Sequence, residues 1–410
     1  MKTKGPLHTL AWAWRFLRAR PLGLVLNLIL LSLGLASITL LLLMSQRIER
    51  AFERDLAGID VVVGAKGSPL QLILSGVLHL DTPTGNVPLA AIDSLSAHPQ
   101  IAKLIPISLG DNFRGFRIVG TSPAYVQHHG AALAQGALWQ APMQAVLGHA
   151  VAQASGLKLG DSFAGSHGLG SGGASHGSAP YTVVGVLAPT GSVLDRLVLT
   201  ATESVWQVHE EQNLSSTDSA EDRAALVADR EITLALIQYK TPLAAVTFPR
   251  FINTTTEMQA AAPAVEVARL LSLVGVGADV LKALSGVLLL TAGLSVFVAM
   301  WSSVRERRAD LALLRMLGAP PHRVAGLLLC EALWLAVLAT GLGLLWGQVA
   351  AAGLGGLLQL EKSFMISLSW PVELWLVPAL ALAVSLASAL LPIRETYRIS
   401  VLELLQSRSS

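Results

Sequence analysis

Hydrophobic positions along the chain follow two different patterns. Four long runs are apolar without any period. Leu22 to Met44 holds no ionisable residue, and Ala283 to Val304 is bounded by Lys282 and Arg305. A third run starts near Val324 and is charge-free from Ala332 to Leu360, and a fourth covers Leu374 to Ile393. Each is long enough to cross a bilayer, which takes about 20 apolar residues. One such run could be a buried soluble helix, but four in one chain predict transmembrane helices. Between the first and second runs the pattern shortens. Ile59 to Ala65, Ala102 to Leu109, Phe113 to Gly120, Tyr181 to Ala188, Leu194 to Ala201 and Ile232 to Tyr239 are brief apolar segments separated by Gly, Pro, Asn and Asp. They read as strands, with Val146 to Gly156 and Glu203 to Glu211 as helices.

The stretch from Gln46 to Gly58 has no helix breaker before its glycine and extends the first span as a stalk. Pro263 suits a first helical turn, and Pro263 to Leu284 reads as the matching stalk into the second span. The expected fold class is an α-helical integral membrane protein with four transmembrane helices plus a large mixed α/β periplasmic domain on helical stalks. The expected division is an N-terminal segment 1–21, a span 22–44 and the stalked domain 45–282. A span 283–304, a connector 305–323, a span 324–360, a short connector 361–373, a span 374–393 and a tail 394–410 complete it.

Charge sets the expected direction of the spans, because Lys and Arg accumulate on the cytoplasmic side. Lys2, Lys4, Arg15, Arg18 and Arg20 crowd residues 1–21 without one acid, and Arg394, Arg398 and Arg408 follow the last span. Residues 305–323 hold Arg305, Arg307, Arg308, Arg315 and Arg323 against Glu306 and Asp310. Both termini and this connector therefore face the cytoplasm, and the acid-rich segment 47–282 lies outside. The first span is read as an uncleaved anchor, since no small-x-small site follows its long apolar run. Composition agrees: the 410 residues are 52% hydrophobic and only 14% charged, with a net charge of +2. A single cysteine, Cys330, excludes an intrachain disulfide and any cysteine-based metal cluster. The expected location is the inner (cytoplasmic) membrane of a bacterium, crossed several times.

Candidate chemistry is sparse. No G-x-S-x-G, H-E-x-x-H or Walker G-x-x-x-x-G-K-[ST] occurs, so the chain reads as no enzyme and as no ATP binder in its own right. Nothing in it points to nucleic acid. Residues 165–178 form a Gly/Ser/His patch with a formal G-x-G-x-x-G at Gly168, Gly170 and Gly173. No helix start follows, and a nucleotide-binding reading is rejected. His167 and His176 in that patch are candidate metal ligands, but zinc usually takes three or four ligands and the alternative is a solvated hairpin loop. His128, His129 and His149 share the same exterior segment. Asp195 and Arg196 read as a turn or strand-edge pair. The spans carry hydroxyls and amides but no mid-membrane carboxylate, lysine or histidine, which argues against an ion pathway.

The connector is denser than a turn needs to be. As a helix it places Arg305, Arg308, Ala312 and Arg315 on one face and Leu313, Leu314 and Leu317 on the other, with Gly318, Pro320 and Pro321 as a stop. The run from Arg305 to Gly347 resembles the signature of FtsX-like ABC permeases of the MacB and LolC/LolE type. Glu306, Arg307, Asp310, Leu311, Ala312, Leu314, Arg315, Leu317, Gly318 and Ala319 match it. Asp60 to Leu74, Val146 to Phe163 and Tyr181 to Leu187 resemble a MacB-like periplasmic core.

The resemblance implies that the connector is a coupling helix seated in a groove of a separate ABC ATPase subunit. ATP and Mg would then be bound in that partner. It implies a second permease copy, as a homodimer or as a heterodimer with a related permease, in contact with membrane lipid. A periplasmic adaptor or substrate-binding protein is a further implied partner. Glu331 and Arg323 form a candidate latch between the third span and the coupling helix, or Glu331 is an interfacial glutamate reaching headgroups. Three functions stay open at this point. They are export or extraction of a lipoprotein, peptide or lipophilic substrate, a zinc-linked system using the exterior histidines, and a non-transporting transmitter controlling a periplasmic hydrolase.

Overall fold

The computed structural model describes residues 6–19, 21–167, 179–213, 227, 229–306, 320–357 and 371–398. Chain order opens with α1 (Pro6–Arg18) and α2 (Pro21–Leu56). Next come β1 (Val61–Ala65), α3 (Pro69–Gly76), β2 (Val87–Pro88), α4 (Leu89–Ser96), β3 (Ile101–Phe113), β4 (Phe116–Thr121) and α5 (Pro123–His128). They lead into β5 (Leu133–Gly136), β6 (Gln144–Leu147), α6 (His149–Ser155), β7 (Ser162–Phe163), β8 (Ser166–His167) and β9 (Tyr181–Leu187). A 3-10 turn at Val193–Arg196 precedes β10 (Leu197–Ala201), α7 (Thr202–Asn213), β11 (Glu231–Ile232), β12 (Leu234–Tyr239), α8 (Ala244–Thr255) and β13 (Met258–Ala261). Then follow α9 (Pro263–Glu306), α10 (Pro321–Leu357), a 3-10 turn at Val372–Trp375 and α11 (Leu376–Arg398). The chain divides into two compact units, residues 49–273 and the remainder on either side.

The first unit is helical. Among the described residues four stretches have the length and apolarity to cross a membrane: Pro21–Leu56, Pro263–Glu306, Ala325–Gly355 and Val372–Glu395. Their shared interior is built from Leu31 and Leu35 of α2, Leu289 and Ala292 of α9, Ala336 and Ala339 of α10, and Val377 and Ala381 of α11. Apolar side chains gain little by leaving lipid, so close packing of small residues has to hold such helices together. A Cβ added at Gly343 would lie 2.6 Å from the Leu35 Cβ, and one at Gly347 would collide with Thr39. Buried polar groups add specific bonds. Ser295 Oγ donates to Asn27 Oδ1 at 2.8 Å, and Ser388 Oγ donates to the Gly293 carbonyl at 2.8 Å.

The second unit is a mixed α/β domain. Its main sheet runs β13-β1-β12-β3-β4-β10-β6-β9-β5, with β7 on β9 and β8 on β3, and β2 pairs separately with β11. Most neighbours are antiparallel, but β10 runs parallel to β4 and β6 runs parallel to β9. Both faces of the sheet are covered, and the strand sequences show why they read as continuous apolar runs. Val62 of β1 enters a core with Leu72 and Ile73 of α3, Tyr125 and Val126 of α5, and Ile105 and Ile107 of β3. Its neighbours Val61 and Val63 point to the opposite core, with Ile92 and Leu95 of α4 and Phe248 and Ile252 of α8. Likewise Leu197 and Leu199 of β10 enter the first core while Val198 joins a third with Tyr181 and Val183.

Local differences from the sequence reading have physical reasons. Val146 and Leu147 finish β6 instead of opening a helix, because Gly148 separates them from α6. Leu194 to Arg196 form a 3-10 turn, capped when the Ser192 hydroxyl accepts from the Leu194 amide, and the strand starts at Leu197. Arg114 and Gly115, both with positive φ, turn β3 into β4 inside what reads as one strand. Pro321 is the first residue of α10 as well as the end of the preceding break, the N1 position where proline lacks no needed donor.

Replacing Gly343 or Gly347 with Val overpacks the helical core, at a cost of about 1–3 kcal/mol. The detergent-solubilised protein should then melt several degrees earlier. Gly341→Val, on the same helix with nothing within 4 Å of the added carbon, should leave the melting temperature close to that of the native chain.

Candidate functional site

Two places bear on function: the connector that the sequence singles out, and the joint where α2 and α9 enter the mixed domain. Of the coupling candidates, Arg305 and Glu306 end α9, and the Arg305 guanidinium lies 5.5 Å from the Trp301 ring centroid. Arg307, Arg308, Asp310, Leu311, Leu314, Arg315, Leu317 and Gly318 lie outside the described residues. Beyond them, Arg323 and Glu331 both fall on α10, eight residues or about 12 Å apart along its axis. Glu331 is buried in the helical unit. The metal candidates are not brought together within what is described. His167 ends β8, which pairs with Asp111 and Asn112 of β3, and His176 lies outside the described residues. Asp195 is a turn residue, as its spacing suggests: its carboxylate accepts from the Thr190 and Gly191 amides at 2.9 and 2.7 Å.

The joint is the feature that sequence reading missed. At the end of α2, Phe52 and Leu56 pack against the first domain core, and Ile59 lies fully within it. At the start of α9, Val267 is in the same core and Leu271 packs against it. Two helix ends from distant parts of the sequence therefore insert into one apolar cluster. Polar contacts fix the seat. Asp55 Oδ1 accepts from the Val193 amide at 3.3 Å, and Asp60 Oδ2 accepts from the Tyr239 amide at 2.7 Å. On α9, buried Glu266 is paired with Arg269 at 3.0 Å. α2 stops at a glycine with φ of +75°, Gly58, and a Cβ there would lie 2.9 Å from the His128 ring. Glycine thus allows both the left-handed turn and the close approach of α5.

Behind that contact lies a buried aromatic and imidazole chain. The His128 and His129 rings meet edge to face at 5.3 Å, and His129 meets Tyr125 at 4.9 Å. Tyr125 Oη is 3.0 Å from His79 Nε2. His79 Nδ1, His128 Nε2 and His129 Nε2 are buried without a hydrogen-bond partner. An imidazole so placed is held neutral. Burial, reinforced by the Arg117 and His129 charges, pushes His79 down to about 3. Burial, with His128, Arg54 and Lys103 nearby, pushes His129 down to about 4. His128 is lowered by burial and by Lys103, against a hydrogen bond to the Ala57 carbonyl. A concavity beside it, lined by Gly58, Ile59, Lys103, Ile105, His128, Leu236, Ile237 and Gln238, has about 10 Å³ of free space. Room for one water at most rules it out as a small-molecule pocket, which takes hundreds of Å³. Among the described residues no cluster of three or more His, Cys, Asp or Glu is arranged to hold a metal ion. What this arrangement can do is mechanical: it fastens two helices to a sheet.

Residues 24–242 match the family model of the MacB-like periplasmic core domain, and residues 282–401 match that of the FtsX-like permease C-terminal region. No curated protein matches the chain. Among solved structures, the extracellular domain of the noncanonic ABC-type transporter YknZ from Gram-positive bacteria is similar at 10% identity. That match covers 49% of this chain and 98% of the other, with a TM-score of 0.31.

The neutral imidazoles give a signed pH dependence. Their pKa values fall below the unfolded value of about 6.5, so their contribution is complete above it and is lost as pH drops toward 4. His79 and His129 each cost up to about 1.4 kcal/mol per pH unit within that window. The unfolding midpoint of the mixed domain should therefore fall steeply between pH 6.5 and 4.5. His129→Gln should flatten that slope, as should His79→Asn, since asparagine tolerates the positive φ of 53° at that position. A midpoint constant across the window would mean that these rings are not held neutral by burial.

Proposed function

The chain belongs to the FtsX-like ABC transporter permeases that carry a MacB-like periplasmic core domain, and on that premise we propose that it couples an ATPase to its outer domain by mechanotransmission. As a permease of this family it is the membrane component and not the ATPase, and an ABC ATPase subunit is its partner. ATP and Mg act in that subunit. The proposed connection is the helix of residues 305–319, docked through Leu314 and Leu317 into an ATPase groove with Arg308 and Arg315 at the rim. Motion there passes along α9 and α2 to the mixed domain. The observation that carries this reading is the joint: both helix ends sit in the domain's own core through Phe52, Leu56, Val267 and Leu271. A helix frayed at its end would lose the motion, whereas one packed into a sheet passes it on.

The proposed setting is a bacterial inner membrane, with termini and connector in the cytoplasm and the mixed domain outside, following the arginine and lysine bias of the sequence. A permease pair meets an ATPase pair, and the outer domain hands a lipoprotein, peptide or lipophilic substrate to a periplasmic adaptor. The apolar spans, with no described ionisable group at mid-membrane, support work done at the outer face in preference to conduction through the spans.

The test separates docking from charge. Leu314→Asp with Leu317→Asp places charge in an apolar seat, a defect of a few kcal/mol at a buried interface. That variant should fold and assemble with its second copy, yet fail to co-purify with the ATPase or to stimulate hydrolysis in nanodiscs. Arg308→Glu with Arg315→Glu should slow association and reduce its salt dependence, since rim charges act chiefly on encounter. Full ATPase coupling in the leucine variant would show that the connector is only a charged anchor.

A further inference from the structure

Helix α1 lies outside both matched ranges of the chain, and the coupling mechanism makes no use of it. Its inner face is fixed. Ala13 is fully buried, Leu17 packs with Val296, Met300, Ala332 and Leu335, and the Trp334 indole of α10 donates to the Leu10 carbonyl at 3.1 Å. Trp14 stacks at a tilt on Trp334, 5.2 Å between centroids, and the Arg18 guanidinium sits 5.6 Å from the Trp14 ring. The outer face carries Ala11, Trp12, Arg15, Arg18 and Ala19, all exposed, with Trp12 54% accessible. Two arginines beside an open tryptophan suit the headgroup layer, where an amphipathic ring and a cation are both satisfied.

Position and charge both select the occupant. Trp334 lies three residues beyond Glu331, the one acid of α10, so α1 is attached to α10 beside the last charge before the charge-free run to Leu360. Residues 1–21 hold five basic residues and no acid. We propose that the outer face of α1 is a binding site for anionic phospholipid, with Arg15 and Arg18 taking the headgroup phosphate and Trp12 the interfacial acyl region. Two arginines on one exposed face give a site selective for a net-negative headgroup, and the bond from Trp334 holds that site at one height on the bundle.

The experiment uses the full chain with Cys330→Ser and a donor fluorophore on Ala11→Cys, in mixed micelles. The probes are phosphatidylglycerol and phosphatidylcholine with the same acyl-chain acceptor. The native face should prefer phosphatidylglycerol by about 30-fold, the factor that two basic groups near an anionic surface contribute. Arg15→Gln with Arg18→Gln should remove that factor. Arg15→Lys with Arg18→Lys should keep most of it, which a merely structural role for the arginines would not predict. Trp12→Ala should weaken both lipids and leave their ratio unchanged. Equal affinity for the two lipids in the native chain overturns the proposal, and so does a preference that survives in the glutamine pair. An acceptor signal indifferent to headgroup but displaced by the ATPase subunit or by a second copy also overturns it, by making α1 a protein-docking face.

Discussion

Two helices that run on past the thickness of a bilayer govern the rest of this molecule. α2 has 36 residues and α9 has 44, which at 1.5 Å per residue is about 54 and 66 Å against about 30 Å of hydrocarbon. The surplus length has to be held by something, because an isolated helix in water is only marginally stable. Here its end is held by the mixed domain: Phe52 and Leu56 from one helix and Val267 and Leu271 from the other share a core with the sheet. The domain is therefore fastened to the two helices by the same apolar contacts that stabilise its own fold. No separate hinge of glycines interrupts α2 between Pro21 and Leu56 except Gly23 and Gly34, well before the joint.

The buried imidazoles near the joint are the cost of that seat. A neutral histidine with an unpartnered ring nitrogen is less stable inside a protein than an apolar side chain of the same size. His79 and His129 nonetheless flank Tyr125, and His128 meets His129 and closes against Gly58 where α2 ends. The arrangement makes the joint acid-sensitive: protons that the folded rings refuse are taken up by the unfolded chain. Close packing of the His128 ring against Gly58 holds α5 at the helix end, beside the Arg54–Asp55 ion pair.

The membrane half of the fold is legible in the sequence because a charge-free run of twenty residues needs no partner to declare itself. The stalks are legible for a related reason, the lack of any breaker from Gln46 to Gly58 and the proline at the head of α9. Strands such as Val61–Ala65 are legible as buried on both faces because their valines do not alternate with polar residues. Less could be read where two signals overlap. β6 and α6 are contiguous apart from Gly148 and read as one helix, while α8 contains Pro249 and escapes notice. α1 reads as a charged flank, since its arginines mask the apolar spacing of Leu10, Ala13, Trp14 and Leu17. The joint was hidden because its parts lie some two hundred residues apart in sequence. The spacing of Tyr125 and His129, one helical turn apart after a proline, was the available hint of a packed aromatic pair.

Mechanotransmission requires the joint to stay rigid while the assembly works. Its most direct test is the distance between spin labels at Glu53, exposed on α2, and Arg114, exposed at the β3–β4 turn. Measured by pulsed dipolar spectroscopy on the permease with its ATPase, the distribution should be narrow and identical without nucleotide and with hydrolysis blocked after ATP binding. A distribution that shifts or broadens with nucleotide would show that the domain swivels on the end of α2, and the helices would then not carry motion into the sheet.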